Sequence, residues 1–396
     1  MKRTVGVLLI GAVAWIGVTA PAHAQVASSY NAPVQESSAA KPLAGYDNGF
    51  FMRSADDEFR LQVMTRTQFQ YQYQQIQGLP DTSSFFLRRA RLIFIGTAFK
   101  NFDFMSYANY ATSTAAVNAP SWYGDVTAHI IPAFNLQVGT VSTPLSGTGE
   151  GSSGTAAFVG DSLTSSQEDG VKDKTIARQA FDTPLSIGVR AFGDVKRFHY
   201  IVGVTNGDTN TAFNASKQFS YGARVRVDLL DDPGSAEMDL AYSEKPAWAI
   251  GAGTSYDGQD AAVTSVRATP AVVDWSWVSA ADSLFKWRGF TLLTEGYLRK
   301  NKITTGNFTL DDFGYLMQAG YFVVPKKFEV VGRAAQIFRE GPDNDAYEFA
   351  GGLNWYIHGN NVKLQTDVSR LLDFDATAGT GGQTTWRYRA QLQLSI

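Results

Sequence analysis

Residues 386–396 present two chemically different surfaces along one stretch of chain. Trp386, Tyr388, Ala390, Leu392, Leu394 and Ile396 form an apolar row, and Arg387, Arg389, Gln391, Gln393 and Ser395 a polar one. A β-strand sends alternate side chains to opposite faces, so this stretch is a strand with one oily and one wet face. A soluble sheet must cover its oily face with a second layer. A membrane barrel shows that face to lipid and turns the wet face to a lumen. Residues 58–76 repeat the pattern. Phe59, Leu61, Val63, Phe69, Tyr71 and Tyr73 alternate with Arg60, Gln62, Arg66, Gln68, Gln70, Gln72 and Gln74, and Met64 is the one apolar intruder on the wet side. The first and last strands are therefore expected to pair and close a barrel, which removes free sheet edges.

The N-terminus reads as a secretion signal over residues 1–24. Lys2 and Arg3 precede the apolar run 5–20, and Ala22-His23-Ala24 is a cleavage site. Removing Lys2 and Arg3 from 34 basic residues, against 37 acidic ones, moves the formal net charge from −3 to −5. Such a chain has no basic excess to recommend a nucleic acid as partner. Residues 25–56 begin rich in Ala, Ser and Pro and read as a flexible periplasmic leader. Residues 57–396 are the barrel domain. There is no cysteine, hence no disulfide framework. No later run is long and apolar enough for a transmembrane helix. Aromatics at 13% with a mean hydropathy of −0.15 fit alternating barrel strands, whose wet positions offset the lipid-facing ones.

The fold expected is all-β: a transmembrane antiparallel β-barrel of about sixteen strands. Turns alternate short and long. Lys100-Asn101, Pro132-Ala133 and Asp194-Val195-Lys196 are tight, while longer loops follow 77–81 and run through Pro120. In outer-membrane barrels the short turns are periplasmic and the long loops extracellular. The stretch 238–246 shows no clear period. Aromatics at strand ends (Phe59, Phe102, Phe134, Phe198, Trp248, Phe313, Phe328, Trp355, Trp386) suit girdles at the two membrane interfaces. The third long loop, from Ser142 to about Phe181, exceeds what a connection needs. It carries Glu168, Asp169, Lys172, Asp173, Lys174 and Arg178, and is expected to fold into the lumen and narrow it.

Several stretches carry a family likeness: Arg88-Arg89-Ala90-Arg91-Leu92 with Gly96 and then Phe102-Asp103-Phe104; Leu136-Gln137-Val138-Gly139 with Pro144-Leu145-Ser146; Val202 through Gly207, then Arg224. Further on come Gly314-Tyr315, Gly320-Tyr321, Arg333, Gly352 through Tyr356, Lys363-Leu364 and Tyr388-Arg389-Ala390-Gln391. In this order and spacing the chain resembles the phosphate-selective porins O and P from about Asp57 to Ile396. The resemblance implies a sixteen-stranded trimeric outer-membrane porin, constricted by its third loop, with basic residues guiding anions. Residues 140–143 carry no basic residue where that family usually has one, and the third loop mixes acids with bases. Phosphate as the solute rests on the resemblance alone.

The wet faces hold the candidate chemistry. Arg60, Arg66, Arg89, Arg91, Arg387 and Arg389 lie on strands that become neighbours when the barrel closes. Arginine stays charged near neutral pH and offers fixed donors to oxyanions, so one wall would steer anions. Arg224, Arg226, Arg333 and Lys363 are looser members of the set. Asp125, Glu295, Glu329, Glu348 and Asp367 also face inward, so two roles stay open: anion guidance, or pairing that pins the wall. A hydrolase would need a His with a nucleophile. His129, close to Asp125 in sequence, has no serine elbow near it, so no enzyme and no cofactor is expected. Asp343-Asn344-Asp345 reads as a solvated acidic loop, with calcium binding as the alternative, and no metal site is expected. The expected partners are small hydrophilic solutes, anions foremost, outer-membrane lipid and two further copies of the chain. The competing function is a surface barrel with a plugged lumen and a structural or adhesive role.

Overall fold

The computed structural model describes residues 43–110, 121–150, 175–181, 183, 185–206, 218–258, 262–263, 271–304, 307–340, 345–372 and 384–396. A hairpin comes first, β1 (Ala44–Tyr46) and β2 (Phe50–Arg53). The wall then runs through β3 (Phe59–Ile76), β4 (Thr82–Ala98), β5 (Phe102–Asn109), β6 (Ser121–Ile131), β7 (Phe134–Ser142), β8 (Leu185–Val195) and β9 (Phe198–Thr205). It continues with β10 (Ser220–Asp228), β11 (Ala247–Gly258), the short β12 (Ala262–Val263), β13 (Ala271–Trp287) and β14 (Phe290–Ile303). The last five are β15 (Phe308–Val324), β16 (Phe328–Phe338), β17 (Ala346–His358), β18 (Val362–Leu372) and β19 (Thr384–Ser395). Between β7 and β8 lies a six-residue helix, α1 (Ile176–Phe181).

Each wall strand pairs antiparallel with its neighbours, and β19 pairs with β3 from Thr385↔Ile76 to Ser395↔Arg66. With β1, β2 and β12 set aside, sixteen strands form a closed ring. Closure satisfies every sheet edge, the condition for β-structure in lipid.

Alternation becomes a two-faced wall. On β19, Trp386, Tyr388, Leu392 and Leu394 are exposed outside, while Arg387, Arg389, Gln391 and Gln393 are buried inside. Phe59, Phe102, Phe134, Phe198, Trp248 and Trp355 are exposed in a belt near the rim of short turns, with Phe328 half-buried beside them. Trp122, Trp277, Phe313, Phe338 and Trp386 form the opposite belt. Between the belts an outward charge has no partner in hydrocarbon. Val225, exposed midway along β10, is a test position. Val225→Arg should lower folding stability in bilayers by about 2–4 kcal/mol, the midplane value, measured by denaturant unfolding from vesicles.

One feature departs from the sequence expectations. Residues 44–53, inside the expected flexible leader, form the β1–β2 hairpin, and β2 pairs with β3 from Phe50↔Val63 to Arg53↔Arg60. That covers the end of β3 below the end of β19. Residues 238–246 are not a strand: they belong to a turn of residues 229–246 that folds into the barrel, where Met238 packs against Phe322 and Tyr356. β13 and β14 pair from Trp287↔Phe290 outward to Val273↔Ile303. The expected signal, residues 1–24, lies outside the described residues.

Candidate functional site

The arginines assemble on one arc. Register sets Arg66 opposite Arg91 and Gln68 opposite Arg89 across β3 and β4, and Arg389 opposite Gln72 and Arg387 opposite Gln74 across β19 and β3. Like charges placed directly opposite are destabilising in isolation. Arg66 and Arg91 face each other directly, while an amide stands opposite Arg89: Arg89 donates to Gln68 (2.6 Å), which donates to Gln393 (2.7 Å). Arg389 forms a two-point pair with Asp367 through 2.8 Å contacts from Nε and Nη2. Arg66 Nε reaches Ser395 Oγ at 3.4 Å, and the Arg91 guanidinium lies 4.7 Å from the Tyr107 ring centre. Arg60 sits lower, beside Asp47 (3.3 Å) and against the Phe51 ring of the hairpin. Lys363 is buried 5.8 Å from the Tyr356 ring centre.

Sequence reasoning missed Arg88. Strict alternation sends it to lipid, since Arg89 faces inward. A register shift between Gln68 and Phe69, opposite Arg88, sets two residues of β4 against one step of β3. Such a bulge re-aims a side chain. Arg88 and Arg89 are both 0% exposed as a result. The doubled arginine within an alternating run was the available signal. Arg190 was also missed. It donates to Gln137 (2.8 and 3.1 Å) and to Ser142 (3.0 Å), while Gln137 donates to Asp125 (2.7 Å).

The carboxylates gather elsewhere, from β13 to β17, and the described ends of the third loop bind them. Glu295 accepts hydrogen bonds from the Thr148 amide (2.8 Å) and hydroxyl (2.7 Å) and from the Tyr297 hydroxyl. Asp282 accepts from the Gly147 amide (3.2 Å) and pairs with Arg224 (2.8 Å). Glu348 accepts from the Ile176 amide (2.8 Å) and pairs with Arg333 (2.7 Å). Phe181 stacks on Tyr297 at 5.2 Å, and the Arg299 guanidinium lies over the Phe181 ring at 4.9 Å. Glu329 is held by Asn354 (2.9 Å) and Tyr356 (2.7 Å). The loop feet and the wall thus form one apolar cluster that includes Leu145, Ile176, Ala177, Phe181, Leu293 and Leu316.

The looser cationic candidates are engaged with acids: Arg224 with Asp282, Arg333 with Glu348, and Arg226 with Asp228 (2.7 Å) and Asp232. Of the constriction-loop candidates, Glu168, Asp169, Lys172, Asp173 and Lys174 lie outside the described residues. Arg178 is buried on α1, donates to the Thr148 carbonyl (3.3 Å) and lies 3.7 Å from Glu237 of the inward turn. His129 does not meet Asp125. Its ring nitrogens meet Asp103 (2.8 Å) and Asn135 (3.0 Å), because the antiparallel register carries Asp103 to the same end of the wall. Asp343 and Asn344 lie outside the described residues, and Asp345 accepts a bond from the Arg339 amide.

The phosphate-selective porin O and P family pattern matches residues 59–396, the whole of the wall. The chain belongs to that family. This porin is thus an outer-membrane channel of a bacterial cell. No curated protein is a detectable sequence relative. Among solved structures it is similar to the outer membrane channel DcaP of Acinetobacter baumannii (TM-score 0.58, 10% identity, covering 87% of this chain and 99% of that one). It is also similar to OmpT of Vibrio cholerae (0.57, 10%, 87% and 99%) and to an anion-selective porin from Comamonas acidovorans (0.55, 10%, 86% and 100%). At such identities the likeness describes the fold alone. The porin's lumen is therefore its candidate site.

Proposed function

We propose that this porin is a passive diffusion channel for small hydrophilic solutes that prefers anions, working as a homotrimer with a lumen narrowed by its third loop. The observation that carries the preference is the convergence of Arg66, Arg88, Arg89, Arg91, Arg387 and Arg389 on three adjacent strands. Fixed positive charge beside low-dielectric walls raises the local concentration of anions and repels cations. Two of the opposing carboxylates carry their own counter-ions, Asp282 with Arg224 and Glu348 with Arg333. The trimeric state follows the family likeness and one neighbour described as the trimer form of OmpT. Phosphate enters only through the family's name.

One observation favours a second reading, a filled surface barrel: Gln70, Arg88, Arg89, Lys363 and Ser369 face inward yet are all 0% exposed. Planar-bilayer recording of the refolded porin separates the two. A diffusion channel gives stepwise current, with a reversal potential of anionic sign in a salt gradient and partial block by phosphate if phosphate binds. Current of cationic sign discards the anion preference. A folded barrel that carries no current discards the open channel.

A further inference from the structure

Seven turns join strands of the sixteen-stranded ring at the rim where β3 begins, and six of them span two or three residues. The seventh, residues 229–246, spans eighteen and runs inward. Inside the barrel its backbone must find partners other than bulk water. Gly234 N donates to Asp232 Oδ1 at 2.8 Å, closing the first bend. The Pro233 carbonyl accepts from Lys286 Nζ at 2.7 Å. Asp239, 1% exposed, accepts from the Ser243 amide (3.0 Å) and hydroxyl (2.7 Å) and from the Gly289 amide (2.8 Å), which ties the turn to the β13–β14 hairpin. Tyr242 takes φ of 61°, an uncommon conformation for a bulky residue, and it persists under these bonds.

The tip reaches beyond β13 and β14 to β15 and β17. Met238 sits with Phe322 of β15 and Tyr356 of β17, and Glu237 accepts from Gln318 at 3.0 Å. Glu237 also faces Arg178 of α1 at 3.7 Å, with both side chains buried. The turn entering from one end of the barrel therefore meets the loop entering from the other. Between them lies a cavity of about 530 Å³, walled by Gly147 and Thr148 above, Ser235 and Asp239 below, and Asp282 and Glu295 at the side. That volume lies within the range of small-molecule sites.

We infer that residues 229–246 form a second constriction of this channel, set at the periplasmic end, which together with the foot of the third loop encloses a chamber and sets the size of solute that passes. The inference rests on the diffusion-channel reading. It makes Arg178–Glu237 the contact where the two constrictions lock. Solutes suited to the chamber are small and polar, because its lining is rich in polar and charged side chains and its volume is limited.

Two variants test it in planar bilayers. In the first, residues 232–245 are replaced by Asn-Gly, a two-residue turn of the kind that joins neighbouring strands. Single-channel conductance should rise by about twofold as the periplasmic exit widens, and larger sugars should enter in liposome swelling. In the second, Ser235→Cys is made in a chain that has no other cysteine. A cationic methanethiosulfonate reagent should then reduce the current stepwise. If the parent conducts while the shortened turn leaves conductance unchanged and the thiol reagent has no effect, the turn is no constriction and the channel reading stands. A silent parent with a conducting shortened variant makes the turn a plug, which supports the constriction and discards the open channel. Silence from both overturns both. Should the shortened variant fail to fold, the Ser235→Cys result decides alone.

Discussion

Neutralising Arg66, Arg89 and Arg387 together (R66Q, R89Q, R387Q) is expected to lower the anion-to-cation permeability ratio by about tenfold, the low end of the enrichment that a focused charged cleft provides. The three belong to the same arc of β3, β4 and β19. Glutamine suits the substitution, because the arc is already laced with Gln68, Gln70, Gln391 and Gln393, so polarity is kept while charge is removed. Arg389 is left in place. Its removal would strand Asp367, which is almost wholly buried, and would confuse selectivity with stability. The reading is the reversal potential in a KCl gradient, taken at low ionic strength, where the Debye length is long enough for wall charge to reach the path. An unchanged reversal potential would return the arginines to a structural role.

Glu348→Ala should be the most destabilising single change in the lumen, by about 3–5 kcal/mol, the cost of leaving a buried charge without its counter-ion. Both side chains of the Arg333–Glu348 pair are 0% exposed. The same carboxylate accepts the Ile176 amide, so its loss also releases the start of α1 and with it the inner foot of the third loop. Two readouts should move together: the denaturant midpoint in vesicles falls, and open-channel noise rises. Replacing both partners with apolar side chains (R333M, E348L) should restore most of the stability, since apolar residues of similar volume do well in place of buried pairs. The noise should persist in that double variant, because the Ile176 amide still lacks its acceptor. Noise that disappears with the stability defect would show that the loop is anchored elsewhere.

Much of the wall was legible because a strand has a period of two and a closed barrel offers only two environments. The alternation in 58–76 and 386–396 was enough to name the lipid face, the wet face and the closing pair, and Thr385↔Ile76 through Ser395↔Arg66 is that pair. What escaped does not follow a period. The bulge at Arg88 adds one residue to one strand and swaps faces locally, an event decided by register with β3 and not by composition. His129 meets Asp103 and Asn135, not its sequence neighbour Asp125, because partners are set across strands. The inward turn is held by single bonds from Lys286, Gly289 and Gln318, residues 40 or more positions away from the nearest part of it. The β1–β2 hairpin is three and four residues long, too short to show alternation.

The pairing of β19 with β3 joins residues as far apart as Arg66 and Ser395, 329 positions along the chain. Every other pairing in the ring joins strands adjacent in sequence order, apart from the passage over the short β12. Local hairpins form early, and contacts between distant residues wait for loop closure, so the seam is the slow, late event of folding. Until then the sheet is an open ribbon whose two margins are the first and last strands, each a template for joining another chain. The β1–β2 hairpin shortens that exposure, because β2 already occupies the lower end of β3, from Arg60 to Val63. Only the upper margin is left for β19. A wrong partner meets a blocked edge, and the right one finds its register marked by where the hairpin stops: the Thr65 and Ile396 main chains exchange hydrogen bonds of 2.7 and 3.1 Å two residues beyond Val63.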